Sequence, residues 1–306
     1  MDAREHAERQ KLIEQRKRKE KAIETTLMIS ASVAIISVLF IIFFIFYEGL
    51  PLFNVTSIWE FFFSIDWFPT EEVPSYGIGA FILGSIYVTL LALLFSVPIG
   101  VLAGVFLAEI AKGKVASVLK SVVQLLASIP SVIYGIFGVV IIAPIVRTLF
   151  GGSGFSMLSA SIILGIMTLP TIISITQVSI KAVPNEYREG SLALGSTKSQ
   201  SIIKVLLPAA RSGIVAGVVL GMGRAIGETM AVLMVGGNAP NLSKGLTDSV
   251  RTLTMNIVTD MSYADGYHMT ALFTTGIALF IFILANNITV QLILRRSKLL
   301  DEVSGR

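Results

Sequence analysis

The chain has 306 residues, 54% of them hydrophobic and 14% charged, with a mean hydropathy of +0.79 and a net charge of +4. A soluble domain averages about 25% charged residues, so the composition is that of a polytopic membrane protein. There is no cysteine, which excludes disulfides and cysteine-ligated metals, and the two histidines, His6 and His268, fall on opposite faces in the topology derived below, which argues against a histidine metal site or a Ser-His triad.

The first element is a charged segment, residues 1–26, which contains "REHAERQKLIEQRKRKEK". It reads as a basic cytoplasmic tail that anchors orientation on anionic lipid. An apolar run over 27–47 follows, long enough for a membrane helix. With about 26 charged and polar residues before it, it is not expected to be a cleaved signal. Residues 48–76 carry five acids and no Lys or Arg. Trp59, Trp67, Phe61, Phe62 and Phe63 suggest an interfacial helix with an aromatic belt there.

Charge-free stretches then place further spans near 79–107, 121–146, 157–180, 212–235 and 269–294, and residues 297–306 form a tail. Six spans bring both termini to one side. Twenty Lys and Arg fall in the segments on that side and three in the opposite loops. The positive-inside rule makes both termini cytoplasmic. The positive charge therefore needs no nucleic-acid partner.

The connector between the fourth and fifth spans, residues 182–208, is more than a loop. Pro184 suits a first helical turn, Glu186 and Glu189 sit where they favour the helix dipole, and Gly195 suits a helix end. Thr197 and Gln200 have capping-box spacing, and Pro208 closes a second helix. Leu192, Leu194, Ile202, Ile203 and Leu206 give this helical hairpin an apolar surface fit for a groove on a soluble partner.

The hairpin resembles the cytoplasmic signature of ABC importer permeases: Glu-Ala-Ala, three residues, Gly, nine residues, Ile-x-Leu-Pro. Here the positions are Glu189, Gly190, Ser191, Gly195, Val205, Leu207 and Pro208. The spacing matches, with Gly and Ser for the two alanines and Val for Ile. "IPSVIYGIFG" from 129 and "GRAIGETMAVLMVGGN" from 223 are similar to the phosphate-specific members of the family, and to the larger of their paired permeases. The resemblance covers about residues 77–296. It implies a type I importer permease fold preceded by one extra span, with the hairpin as coupling helix. It also implies partners: two ATP-binding subunits holding ATP and Mg, a second related permease and an external phosphate-binding protein. The chain has no G-x-x-x-x-G-K-[ST] motif of its own, and no cofactor is expected on it.

Arg224 and Glu228 lie inside the fifth span, where ionised groups mark function. On one continuous helix they share a face and pair. Two readings stand: an internal bridge fixing helix register, or an anion route lined by Arg224 with Glu228 poising the anion. Arginine's planar fork suits an oxyanion, and the residues alone suit phosphate, sulfate or molybdate. A carboxylate would also distinguish hydrogenphosphate, which keeps a donor proton, from sulfate. A secondary anion transporter is the other transport class, although it would have no use for the hairpin. Gly213, Gly217 and Gly221 form a GxxxGxxxG ridge, expected at a subunit interface. Ser128 and Ser131 flank Pro130 and stand either as path residues or as partners to a kink. Asn286 and Asn287 are expected to bond between helices, and Tyr134 to pack in the core. Glu189, Gly190, Ser191, Gly195, Ile202, Leu207 and Pro208 are the expected contacts to the ATP-binding subunit.

Overall fold

A computed structural model describes the backbone of residues 3–303, with side chains at 19–289 and at 13, 16, 17 and 292. In chain order α1 (Ala3–Gly49) leads through a short 3-10 turn to α2 (Ile58–Phe63) and a two-stranded hairpin, β1 (Trp67–Phe68) and β2 (Ser75–Tyr76). Helix α3 (Gly79–Val105) follows, then α4 (Gly113–Ser128), α5 (Ser131–Phe137), α6 (Ala143–Phe150) and α7 (Met157–Lys181). The connector holds α8 (Asn185–Ala193), α9 (Lys198–Ser201) and α10 (Leu207–Ala209). The chain continues with α11 (Arg211–Gly227), α12 (Met230–Val235), α13 (Leu253–Asp260) and α14 (Gly266–Val303). Among the described residues, five segments are long and apolar enough to cross a membrane: Lys19–Asn54, Gly79–Ile110, Ser131–Phe150, Met157–Lys181 and Gly266–Thr289. The helical pair Lys198–Ala209 and Arg211–Gly227, bent by 69° at their junction, makes a sixth if taken as one broken span.

Three expected boundaries change. From Ala3 the expected tail and the first span are one unbroken helix to Gly49, because nothing between them breaks it. The third span is interrupted at Ile129–Pro130, and the crossing piece starts at Ser131. Ile129 is extended (φ −67°, ψ 127°) because a following proline disfavours the helical region. Ser128 donates to the Leu125 carbonyl at 2.8 Å, and the Tyr134 hydroxyl donates to Leu126 at 2.8 Å. These bonds satisfy carbonyls that the break frees. The fifth span is also interrupted, as described below. By contrast, Pro98 and Pro170 lie inside continuous helices.

Helix α7 is the centre. Small residues on both neighbours let it approach closely. A Cβ at Gly217 or Gly221 of α11 would stand 3.0 Å from Ile175 or Ile172 of α7. Gly100 and Gly104 of α3 face Ile172 and Thr176 in the same way. The glycine ridge is therefore used within the chain, not at a subunit interface as its spacing suggested.

The aromatic segment divides. Trp59 and Phe63 are exposed and stacked, with ring centroids 5.4 Å apart. Phe61 and Trp67 are instead buried in an outer cap with Leu52, Ile78, Phe81, Leu253 and Leu272. The polar tie of the cap is Asp260, 2% exposed. It accepts from Trp67 Nε1 at 2.9 Å and from the Tyr263 hydroxyl at 2.6 Å. It also pairs with Arg251 at 3.3 Å and lies 3.3 Å from His268 Nε2. A buried carboxylate requires such partners. Asp260 thus ties the strand hairpin, α13 and the start of α14 together.

Candidate functional site

Helix α11 ends at Gly227, and Glu228 leaves it with φ −72° and ψ 131°. The break comes about 25 Å along α11, against a hydrocarbon core of about 30 Å. Non-helical backbone is tolerated there only where protein satisfies it. The Glu228 carbonyl accepts the Thr254 hydroxyl at 3.0 Å, and its carboxylate accepts the Ala231 N–H of α12 at 3.3 Å. Thr254 is held in turn by Thr252, 3.0 Å away, which caps α13 by accepting from Met255 N. A small crevice lies against the break, lined by Ser85, Thr89, Leu164, Glu228 and Thr252 among others.

This geometry corrects the expected pair. Arg224 sits in the last turn of α11 and is exposed on this chain, while Glu228 is half-buried beyond the helix end. Among the described residues no ion pair joins them. The shared face required a continuous helix, and the helix stops between them. Tyr134 is buried in the same core as Ala225 and Val232, as expected, and also carries the bond to Leu126. Ser128 spends its hydroxyl on its own turn, and Ser131 opens α5 half-buried. Asn287 is exposed on this chain, and among the described residues the Asn286 amide nitrogen has no partner.

The hairpin is built as its sequence implies. Gly195 has φ +87°, a conformation that costs glycine little. Gly195 N–H donates to Leu192 and Ser196 N–H to Ser191, closing α8. Thr197 and Gln200 form both bonds of the capping box. Its apolar residues separate into two faces. Leu194 is 90% exposed and Ile203 62%, with Leu192 and Tyr187 beside them. Ile202 is 7% exposed and Leu206 0%, packed on Val105, Ile180, Val183 and Ala210. Ile202 therefore seats the hairpin on its own chain and is not an outward contact, and Leu207 packs partly on the same cluster. The turn Ile202–Leu206 is a π-turn, which places Ile202 and Leu206 inward and Ile203 outward. Glu189, Gly190, Gly195 and Pro208 are exposed. Ser191 is buried, its hydroxyl 2.5 Å from that of Ser201 across the hairpin.

Sequence reasoning missed the residues that hold both regions. Thr252 and Thr254 lie outside the predicted spans, and Ser85 and Thr89 carry only an i, i+4 hydroxyl spacing as signal. It also missed Glu109 at the hairpin end of the second span, where both carboxylate oxygens accept from Arg188 of α8. That bond raises the Arg188 guanidinium above its ordinary value.

The comparisons agree with this architecture. The family model of binding-protein-dependent transport system inner membrane components matches residues 100–298. The chain belongs to this family. It is thus a multi-pass inner-membrane component of an ABC importer, a kind of subunit that works with an ATPase and a substrate-binding protein. A probable ABC transporter permease protein of Bacillus subtilis, YqgH, is 42% identical over 78% of this chain and 76% of its own length. The phosphate transport system permease protein PstC of Xylella fastidiosa is 35% identical over 78% and 79%. The probable PstC of Methanocaldococcus jannaschii is 32% identical over 91% and 95%. In fold the chain is similar to a chain of the methionine ABC transporter MetNI in an inward-facing form. The TM-score is 0.59 at 21% identity, covering 72% of this chain and 95% of that one.

Proposed function

We propose that the chain is a permease subunit through which an ATP-driven importer moves inorganic phosphate into the cell by alternating access. The observation that carries the substrate is the run of PstC relatives, 32–35% identical over 77–91% of the chain. The chain itself performs no hydrolysis. Two ATP-binding subunits hold ATP and Mg, a second related permease completes the path, and an external phosphate-binding protein delivers the anion. The exposed face of Leu194 and Ile203, with Glu189, Gly190 and Pro208, seats the ATP-binding subunit.

Within the membrane the break supports the anion-route reading over the register bridge. A bridge needs Arg224 and Glu228 to engage each other, whereas Glu228 engages Ala231. Arg224 is left with its guanidinium exposed on this chain, where its fork would receive two phosphate oxygens. Glu228 stands beside a crevice rimmed by the hydroxyl residues Ser85, Thr89 and Thr252. A carboxylate there accepts the proton of hydrogenphosphate and repels fully ionised sulfate. The test is radiolabelled phosphate uptake into vesicles, with sulfate as competitor. Glu228→Gln keeps an acceptor for Ala231 N–H and removes the charge. Reduced phosphate uptake together with new inhibition by sulfate is expected. Unchanged uptake with unchanged discrimination would remove Glu228 from the route.

A further inference from the structure

The second span and the hairpin meet at one acidic residue. Glu109 lies in a π-turn, Phe106–Ile110, that ends the span. Its side chain is 5% exposed, and both carboxylate oxygens accept from the Arg188 fork, through Nε at 3.1 Å and through Nη2. Asn185 fixes the remaining arm of that fork, accepting from Nη1 at 2.6 Å. The backbone carbonyl of the same Glu109 accepts Lys198 Nζ at 2.7 Å. Arg188 belongs to α8 and Lys198 to α9, so both arms of the hairpin grip one residue of the second span.

We infer that the Glu109–Arg188 pair is the joint through which displacement of the hairpin moves the second span, making both residues positioning residues for transport. Three features support this. First, the pair is bidentate, so it resists rotation as well as separation. Second, the turn Ile202–Leu206 rests on Val105, four residues before Glu109, so an apolar contact supports the ionic one. Third, the second span is a single helix from Gly79 to Val105 before its π-turn. It leads from Glu109 to Ser85, about 36 Å at 1.5 Å per residue. Ser85 and Thr89 line the crevice opposite Glu228. One rigid element therefore has its inner end in the hairpin and its outer half against the break. Coupling between distant sites needs such a packed, continuous element. The inference rests on reading the hairpin as the seat of the ATP-binding subunit.

The experiment uses the complete importer in proteoliposomes and reads phosphate uptake and ATP hydrolysis together. In Glu109→Gln, and in the double variant Glu109→Ala, Arg188→Ala, the ATP-binding subunits should still co-purify. Hydrolysis should persist while phosphate moved per ATP falls roughly tenfold, within the usual range of coupling. Because the chain has no cysteine, Glu109→Cys with Arg188→Cys adds a reversible arm. That complex should be uncoupled, and a short bifunctional thiol reagent joining the two positions should raise its phosphate-to-ATP ratio. Several results would overturn the inference. These are an unchanged ratio in Glu109→Gln, uptake and hydrolysis falling in step, or recovery in the double Ala variant, where no unpaired charge remains. Cross-linking without recovery would do the same. Failure of the seating reading is distinguishable, because Leu194→Glu would then leave the ATP-binding subunit bound.

Discussion

The chain interrupts its helices at Gly195 and at Glu228, and the two interruptions have different causes. At Gly195 the stop is local: a glycine at φ +87°, a capping box two residues later, and chain-adjacent donors for the carbonyls of Gly190, Ser191 and Leu192. At Glu228 the stop is supplied from elsewhere. Gly227 has negative φ, and nothing stands within 4 Å of a Cβ built on it. The freed Glu228 carbonyl is bonded by Thr254, 26 residues away. The first stop uses groups within the hairpin itself, whereas the second draws on α13, distant in the chain. That distinguishes a fixed adaptor on the cytoplasmic face from a break whose shape depends on the outer cap.

The largest effect should come from Arg224→Gln, which removes the charge and the fork from the break. With no partner charge left unpaired nearby, assembly should survive while phosphate uptake falls roughly 10- to 100-fold, the scale of hydrogen bonds to charged groups. Near-normal uptake in an assembled complex would show that the break does not handle the anion. At the hairpin, charge should separate the two faces. Ile202→Glu buries a carboxylate in the seat formed by Val105, Ile180 and Leu206. Without a partner it should reduce the amount of folded permease recovered. Leu194→Glu should leave the permease folded and lose the ATP-binding subunit on co-purification. Equal behaviour of the two variants would contradict the division into inner and outer faces.

Thr254→Val keeps the shape and removes the donor to Glu228. Loss of a net bond of about 1 kcal/mol corresponds to roughly fivefold in uptake, and Thr254→Ser should restore it. If Thr254→Ser fails as Thr254→Val does, packing and not the hydroxyl holds the break. The smallest effect is expected from Gly195→Ala, which strains the positive φ at about 1 kcal/mol and should lower thermal stability with little change in uptake. Equal stability in a melting experiment would place the turn outside the part that melts first.

Much of the fold was legible because spans and orientation depend on local quantities. Apolar length, charge-free runs and the Lys/Arg asymmetry decide insertion, and four of the six spans lie close to where those runs placed them. The two exceptions are the interrupted ones. Pro130 carried a signal of bending, but only the structure showed that α4 becomes a separate helix. For the site, Arg224 and Glu228 were visible as charges in an apolar run, yet their pairing assumed 3.6-residue periodicity across a stop that periodicity does not encode.

The sequence by itself determined the family, the apolar runs long enough to cross a membrane and the internal construction of the hairpin, since caps and turn glycines act within a few residues. Tertiary structure alone decided what each part touches. It turned Ile202 inward and Ile203 outward through a π-turn, and used the glycine ridge against α7. It drew Trp67 into a buried cap around Asp260, and joined Glu109 to Arg188 across 79 positions. Those contacts depend on which surfaces meet, and no local spacing records that.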